Sequence, residues 1–593
     1  MKKRRLLLLC SIIALLAFAL MQDNRMTKAI SAATNVSISK QSAELYVGDK
    51  LTLRILGKKS SVKWSTLNKK IAAVDSKGNV SAQSVGETTI MATVDKTTLK
   101  CKVTVTNPII IIDPMDSSTF NQGKFEGWGT SLAWWGNRIG YSDKMSKKAA
   151  ELLYGEKNGL GLNIVRYNIG GGDDPTHNHI TRTDSAVPGY LYWDSKTKKY
   201  EYDWSADYNQ RNALSKIVDV SGKNLIVEGF ANSAPYFMTI SGCTSGAVDG
   251  KNNLKEDYFD DFANYLADVT LHFKNNLGVT FSSISAMNEP LSGWTALSPK
   301  QEGGHFDAGD TQSKMIEELE NAFSKKGLKN VLITASDAQG TLETITAFES
   351  LSKKAKNIVD RIDTHTYSGT YLSSEKLRKL AKDNKKNLWM SETDGGATVG
   401  DNSGQMGAAL WLGQKIISDM NGLKPSAWVM WQAIANFYST EGYNGNKDAS
   451  KMVDVNGGYW GCAVADIDKE EIVLTQKYYA YGQFTKYIRP GYTIIGSSPI
   501  ANNYYSLAAY DKTSKRLVIV AINIKNYDRK YEINLEKFKS IGSKVKVIRT
   551  SGSLERGESW DKLKDIKTNG KGFTADMKAY SITTFILDDV ILK

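Results

Sequence analysis

Between residues 34 and 107 apolar and polar positions alternate, as in "AELYVGDKLTLRIL" and "KGNVSAQSVGETTIMATV", with turn residues at short intervals. A period of two broken this often predicts short, half-buried strands and a small β-sandwich. From residue 125 the pattern changes to eight short apolar runs: "FEGWGTSL", "LNIVRYNI", "NLIVEGFA", "FSSISAM", "NVLITAS", "RIDTHTY", "NLWMSET" and "SAWVMWQ". Stretches of helical period separate them, among them "SDKMSKKAAELLYG", "EDYFDDFANYLADVTLHFKNNLG" and "TQSKMIEELENAFSKKG", and "LTQKYYAYGQFTKYI" follows the eighth run. Strand-helix alternation repeated eight times predicts a (β/α)8 TIM barrel. After Arg489 the period of two returns in "YYSLAAYD", "KRLVIVAIN", "KYEINL", "KVKVIRTS" and "SITTFIL", which predicts a second β-sandwich. The run "PIIIIDPMD" at 108–116 fits neither neighbour and is expected to pair with that C-terminal sheet. The expected organisation is therefore multidomain: 34–107 a small sandwich, 108–119 a strand of the side sandwich, 120–489 the barrel and 490–593 the C-terminal sandwich.

Length agrees, since 593 residues are too many for one ordinary domain. The opening "MKKRRLLLLCSIIALLAFAL" sets four basic side chains before an apolar run, the layout of a secretory signal. We therefore expect residues 1–33 to direct export, with Ser31-Ala32-Ala33 offering a cleavage point and an uncleaved anchor as the alternative. Cys10 lacks a small residue before it, which argues against a lipoprotein anchor. Formal charge is +13, and removing residues 1–33, with six basic and one acidic side chain, leaves +8. The basic residues are spread widely, so a solvated surface is the first reading and contact with an anionic cell wall the second. No nucleic-acid motif is present. Cys101, Cys243 and Cys462 are too few and too scattered for a disulfide framework. The "HNH" at 177–179 reads as a polar loop, because no Cys or carboxylate stands at ligand spacing.

Two of the barrel runs end in glutamate: "SSISAMNEP" at Glu289 and "LWMSETDGG" at Glu392. Barrel strands carry active sites at their C-terminal ends, so the fourth and seventh strands would aim both carboxylates into one pocket. Each alone is as readily a buried ion pair, but two together match glycoside hydrolysis, one donating a proton and the other attacking or activating water. Such chemistry needs neither a metal nor another cofactor. Trp134, Trp135, Trp294 and Trp431 stand at or beyond strand ends, where flat rings could meet sugar faces or merely pack the barrel mouth. Asp173 and Asp174 after "IGGG" offer acceptors for hydroxyls, or ordinary turn chemistry.

These residues also carry a resemblance. Asn288-Glu289-Pro290 with Glu392, "GWGTSLAWWG", "RYNIGGGDDP" and "FANSAPYFMTISG" resemble glycoside hydrolase family 30 of clan A, over residues 108–593. The "TSLAWW" and "NSAPYFM" runs are most similar to its endo-β-1,6-galactanase branch. The resemblance implies Glu289 as acid/base, Glu392 as nucleophile, Asn288 on the sugar's 2-hydroxyl and Arg166 orienting the nucleophile, with Tyr367 donating to Glu392 and His365 supporting it. It implies a secreted retaining enzyme acting on β-1,6-galactan side chains of arabinogalactan-type polysaccharides, with β-1,6-glucanase, xylanase or glucosylceramidase activity as alternatives. A carbohydrate-binding adhesin is the alternative of another class, although it has no use for two catalytic carboxylates. Residues 34–107, with Trp64, "AAVDSKGNVSA" and "GETTI", resemble the bacterial immunoglobulin-like module of the second type, which implies a spacer or a wall-proximal adhesive unit.

Overall fold

The structure is a computed structural model that describes residues 36–57, 61–174, 179–395, 403–437, 460–498 and 505–593. The expected signal segment, with Cys10, and the first two residues of "HNH" lie outside these. The chain divides into two compact units, Met1–Pro108 and Ile109–Lys593.

In the first unit the alternating pattern forms a four-stranded sheet of Ser42–Tyr46, Thr97–Thr106, Gly86–Val94 and Val62–Thr66, and smaller sheets complete the sandwich. Ile90, Ala92, Cys101, Val103 and Val105 alternate inward to meet Leu53, Ala72 and Val80. Gly78, in the "SKGN" turn, has φ +83°, and a Cβ there would lie 2.5 Å from the Leu53 carbonyl oxygen, so only glycine fits.

In the second unit all eight apolar runs become strands of a closed parallel barrel. They are β1 Gly127–Ser131, β2 Ile164–Asn168, β3 Ile226–Phe230, β4 Ser283–Ser285, β5 Leu332–Gly340, β6 Arg361–Ser368, β7 Asn387–Thr393 and β8 Ala427–Gln432. The outer ring is α1 Asp143–Tyr154, α2 Tyr208–Ser221, α3 Phe259–Asn276, α4 Asp310–Lys325, α5 Thr341–Ser350, α6 Tyr371–Asp383, α7 Met406–Gly422 and α8 Gln476–Thr485. α1 shows why these segments are helical. Ser142 caps it by accepting from the Met145 N–H, Asp143 sits in its first turn, and Met145, Ala149, Ala150 and Leu153 bury one face. No helix among the described residues is long and apolar enough to cross a membrane.

The C-terminal strands are β9 Thr493–Ser498, β10 Tyr505–Asp511, β11 Arg516–Asn523, β12 Arg529–Asn534, β13 Lys544–Ser551, β14 Glu558–Lys567, β15 Gly572–Met577 and β16 Ser581–Leu587. They form one nine-stranded sheet in the order β14-β13-β16-β11-β10-β9-leading strand-β12-β15, the leading strand being Ile109–Ser117. That leading strand pairs antiparallel with β9 and parallel with β12, the placement expected for "PIIIIDPMD". The sheet folds over on itself. Phe573 of β15 and Phe585 of β16, far apart in strand order, bring their rings to 5.3 Å, and the Tyr531 hydroxyl of β12 donates to the Ile522 carbonyl of β11 at 3.0 Å.

The sheet's other face packs on α7 and α8. A Cβ on Gly413 of α7 would lie 2.7 Å from Ile522 and 2.9 Å from Ile582, so barrel and side sheet share one core. Cys101, Cys243 and Cys462 are buried free thiols.

Candidate active site

The strand period builds the floor of the site. Arg361, Asp363, His365 and Tyr367 alternate along β6 and face the barrel axis in sequence from floor to mouth. Below, Arg361 grips Asp363 with bonds of 2.6 and 2.8 Å and also pairs with Glu228 of β3. Arg166 of β2 crosses the barrel, holding Glu228 at 2.9 Å, Asp337 at 2.5 Å and Glu392 at 3.0 Å. All of these side chains except the half-buried Tyr367 are buried.

Two bulges supply what the regular period cannot. Ser336 of β5 faces Asp363 while Ala338 faces Thr364, leaving Asp337 as the extra residue, with φ +53°. On β7, Met390 faces Thr364 and Glu392 faces His365, leaving Ser391 as the extra one. A bulge re-aims side chains at a barrel rim. Here Ser391 and Glu392, although adjacent, both reach inward, the first donating to Asp337 at 2.6 Å and the second meeting Arg166. Beyond β4 the chain puts Asn288 and Glu289 at the mouth. The Glu289 N–H donates to the Asp337 carbonyl at 2.9 Å, and its φ of +48° is a left-handed conformation that a non-glycine residue adopts at some cost.

One ligand atom each from Glu289, His365 and Glu392 lie within 4.8 Å of one another. Glu392 has the richer set of donors: Arg166 at 3.0 Å, the Tyr367 hydroxyl at 3.0 Å and His365 Nδ1 at 3.5 Å. Glu289 has His365 Nδ1 at 3.1 Å. His365 Nε2 is bonded to Asp337 at 3.1 Å. Burial alone would raise the Asp337 carboxyl, but Arg166 and His365 outweigh it and hold that group well below the usual carboxylate range. Burial likewise opposes charge on His365, yet Glu392 and Asp337 push its pKa up to about 10. His365 is therefore an imidazolium at neutral pH, with both nitrogens donating.

Burial pushes Glu392 up to about 7 against the pull of His365 and Arg166, and the neighbouring Glu289 and Asp337 add to the rise. Three donors, Arg166, Tyr367 and His365, favour the charged form of Glu392.

Above it opens a cleft of about 390 Å³ walled by Trp134, Trp294, Trp431 and Trp460, with Arg182, Gln301, Gln339 and Gln432 between them. Trp134 stands edge-on to Trp431 at 5.3 Å, and Arg182 lies over the Trp134 ring at 4.2 Å. Trp294 donates to the Glu289 carbonyl at 3.2 Å and lies flat against Gly303, where a Cβ would come within 2.2 Å of its ring. Asn288 and Tyr367 also line the cleft.

Two expectations need correction. Trp135 does not reach the cleft: it opens the short helix Trp135–Ile139, is fully buried, and donates to the Ser131 carbonyl at 2.7 Å. Asp173 and Asp174 are not among the residues lining the cleft. Asp173 accepts from the backbone of His179 and Ile180 at 2.6 and 3.1 Å and from the His179 ring at 2.9 Å, so it organises a turn, and the Asp174 N–H donates to it at 2.9 Å. Arg166 and His365 lie beneath the carboxyls, each within reach of Glu392 as the resemblance implies, and are not among the residues lining the cleft. Sequence reasoning missed Asp337, Glu228, Arg182 and Trp460. Glu228, alone inside the apolar run "NLIVEGFA", carried the same signal as Glu289 and Glu392.

A barrel with two carboxyls at the ends of its fourth and seventh strands, beneath an aromatic cleft, is the frame of a glycosidase. The family model for O-glycosyl hydrolase family 30 matches residues 109–442, and that for the group 2 bacterial Ig-like domain matches residues 32–105. The chain belongs to glycoside hydrolase family 30 and carries an N-terminal Ig-like domain. It is similar to an endo-beta-1,6-galactanase of Hypocrea rufa, 31% identical over 504 residues that span 82% of this chain and 95% of the relative. An exo-beta-1,6-galactobiohydrolase of Bifidobacterium longum is 23% identical over 70% of this chain and 34% of its own length. Among solved structures, the catalytic domain of a family 30 xylanase C from Talaromyces cellulolyticus aligns with a TM-score of 0.58 at 19% identity, covering 81% of this chain and 99% of that one.

Proposed function

We propose that this protein is an exported, retaining endo-glycosidase that cuts β-1,6-linked galactan side chains of arabinogalactan-type polysaccharides. The observation that carries the mechanism is the approach of one carboxyl oxygen of Glu289 to one of Glu392 within 4.8 Å. A direct nucleophile needs carboxyls about 5–5.5 Å apart, whereas an inverting enzyme needs about 6.5–9.5 Å to admit water between carboxylate and sugar. Glu392, kept charged by Arg166, Tyr367 and His365, attacks the anomeric carbon while Glu289 gives its proton to the departing glycosidic oxygen. Water then enters on the vacated side, loses a proton to Glu289, and attacks the same carbon, releasing Glu392 as a carboxylate. Two inversions leave the configuration unchanged, and one water is consumed per bond cut.

Support for the substrate comes from the 31% identity with an endo-beta-1,6-galactanase over nearly that protein's whole length. Two buried atoms on cleft residues, Trp134 Nε1 and Asn288 Oδ1, have no protein partner among the described residues. One donor and one acceptor left open in this way suit sugar hydroxyls, with Asn288 assigned to the 2-hydroxyl. Export is supported by the basic and apolar opening segment. The Ig-like domain and the net positive charge support an association with the cell surface.

The test is a panel of β-1,6-galactan, β-1,6-glucan, glucuronoxylan and glucosylceramide, with products resolved by length. Short β-1,6-galactooligosaccharides from internal cuts are expected. Efficient cutting of another member with galactan untouched would overturn the substrate and leave the chemistry standing.

A further inference from the structure

Seven aromatic side chains are exposed among the described residues; three of them, Tyr192, Trp193 and Tyr200, fall in the one stretch between β2 and α2, and a fourth, Tyr208, opens α2. Segments that leave the C-terminal end of a barrel strand lie on the catalytic face. This one first passes the cleft, where Arg182 covers Trp134. It is then pinned to the neighbouring loop by the Thr181 N–H on the Pro299 carbonyl at 2.8 Å and the Ser185 hydroxyl on the Lys300 carbonyl at 2.7 Å. Past Gly189 it forms a two-stranded hairpin, Leu191–Asp194 with Lys199–Tyr202. The hairpin thus follows the cleft-lining segment along the chain and lies beside Phe237, just past β3, and Tyr258, just before α3.

Trp193 and Tyr200 stand directly opposite each other on that hairpin and are 44% and 43% exposed. Their rings meet at 5.0 Å, inclined by 63°. Tyr200 also stacks on Phe237, just past the end of β3, at 4.4 Å and 22°. Its hydroxyl lies 3.4 Å from that of Tyr258. A cross-strand aromatic pair steadies a short hairpin, but steadying it does not require both rings to stay open to water. Rings held in place by neighbours, open on the outer side and edged with hydroxyls have the form of a sugar-stacking surface.

Resting on the endo-acting reading above, we infer that Trp193 and Tyr200 form a second carbohydrate-binding site, which stacks galactosyl units of a long chain beyond those in the cleft. A cleft of about 390 Å³ takes only a short stretch of chain. An outlying platform on the same face would hold the polymer through successive cuts and would be idle with short substrates.

The test uses the full chain with two double variants, Trp193→Ala/Tyr200→Ala and the strand-preserving Trp193→Thr/Tyr200→Thr. Binding to β-1,6-galactan is read by affinity electrophoresis in a Glu392→Gln background, and turnover is read in the active background. Both variants should be retained about fivefold to tenfold less by the polymer. KM on the polymer should rise similarly, while kcat/KM on β-1,6-galactotetraose changes by less than about twofold. Unchanged retention of both variants would overturn the inference. An equal loss on tetraose and polymer would overturn it too, because the loop carrying Arg182 would then simply be disordered. If the substrate panel selects another polymer, that polymer and its tetramer replace galactan, so failure of the substrate reading and failure of the platform are separate results.

Discussion

Asp337→Asn removes one negative charge, and almost no volume, from beneath both catalytic carboxyls. Asp337 accepts from Arg166, Ser285, His365 and Ser391. An asparagine has one acceptor oxygen, so its amide group must face donors that have lost their partner. Breaking a buried pair in this way costs about 3–5 kcal/mol. The pH dependence carries the diagnostic part. Lifting His365 from 6.5 to about 10 corresponds to roughly 5 kcal/mol of stabilisation, spread over Glu392, Asp337 and Glu289. A raised folded pKa stabilises fully below the unfolded value and loses its effect as pH rises through the folded one. The variant's deficit in apparent Tm should therefore be largest near pH 6 and shrink toward pH 10. Asp337 is also among the charges that raise Glu392, so its loss should move the acid limb of kcat/KM, set by ionisation of the nucleophile, toward lower pH. Calorimetry at pH 6, 8 and 10 and a pH series of kcat/KM read both effects. An unchanged acid limb, with the same Tm deficit at every pH, would refute the electrostatic reasoning and leave Asp337 a packing residue.

Glu289→Ala should reduce turnover of galactan by several orders of magnitude while sparing aryl galactosides with good leaving groups, and kinetics on a leaving-group series measures it. Lys477 and Asp394 form a fully buried pair at 3.1 Å, and Asp394 also accepts from the Gly461 N–H at 2.9 Å, tying the end of β7 to the segment that carries Trp460. Lys477→Met should accordingly destabilise by about 3–5 kcal/mol, seen in thermal denaturation, and raise KM. Truncation after Arg489 should give insoluble protein, because it strips Ile522, Ile582 and their neighbours from α7 and α8, whereas removal of residues 36–108 should leave turnover of soluble galactan nearly unchanged. Solubility and specific activity of the two truncated chains decide this.

Most of the architecture was legible because β/α alternation is written in the spacing of apolar runs. Each of the eight runs is a barrel strand, and the segments between them supply the helices. β9, β14 and β15 were not anticipated. β14, "ESWDKLKDIK", is a polar edge strand with no apolar face to announce it. Within the site, Glu289 and Glu392 were readable because charge at the end of an apolar run is conspicuous, and Arg166 through the family resemblance. Asp337 was not, since its inward aim depends on a bulge, and one extra residue in a strand leaves no mark on periodicity. Trp134 and Trp135 show the same limit. Adjacent and alike in sequence, they diverge because the helix begins between them, sending one ring to the cleft and the other to the core. Arg182 and Trp460 come from loops, where side-chain direction follows tertiary contacts rather than any local period.

The central claim is that Glu392 attacks the sugar directly and Glu289 serves as acid and then base. Proton NMR of the first product released from β-1,6-galactan, recorded before mutarotation, tests it most directly. The account predicts a newly formed reducing end in the β configuration. An initial α product would mean a single displacement by water and would contradict the assignment of Glu392 as nucleophile.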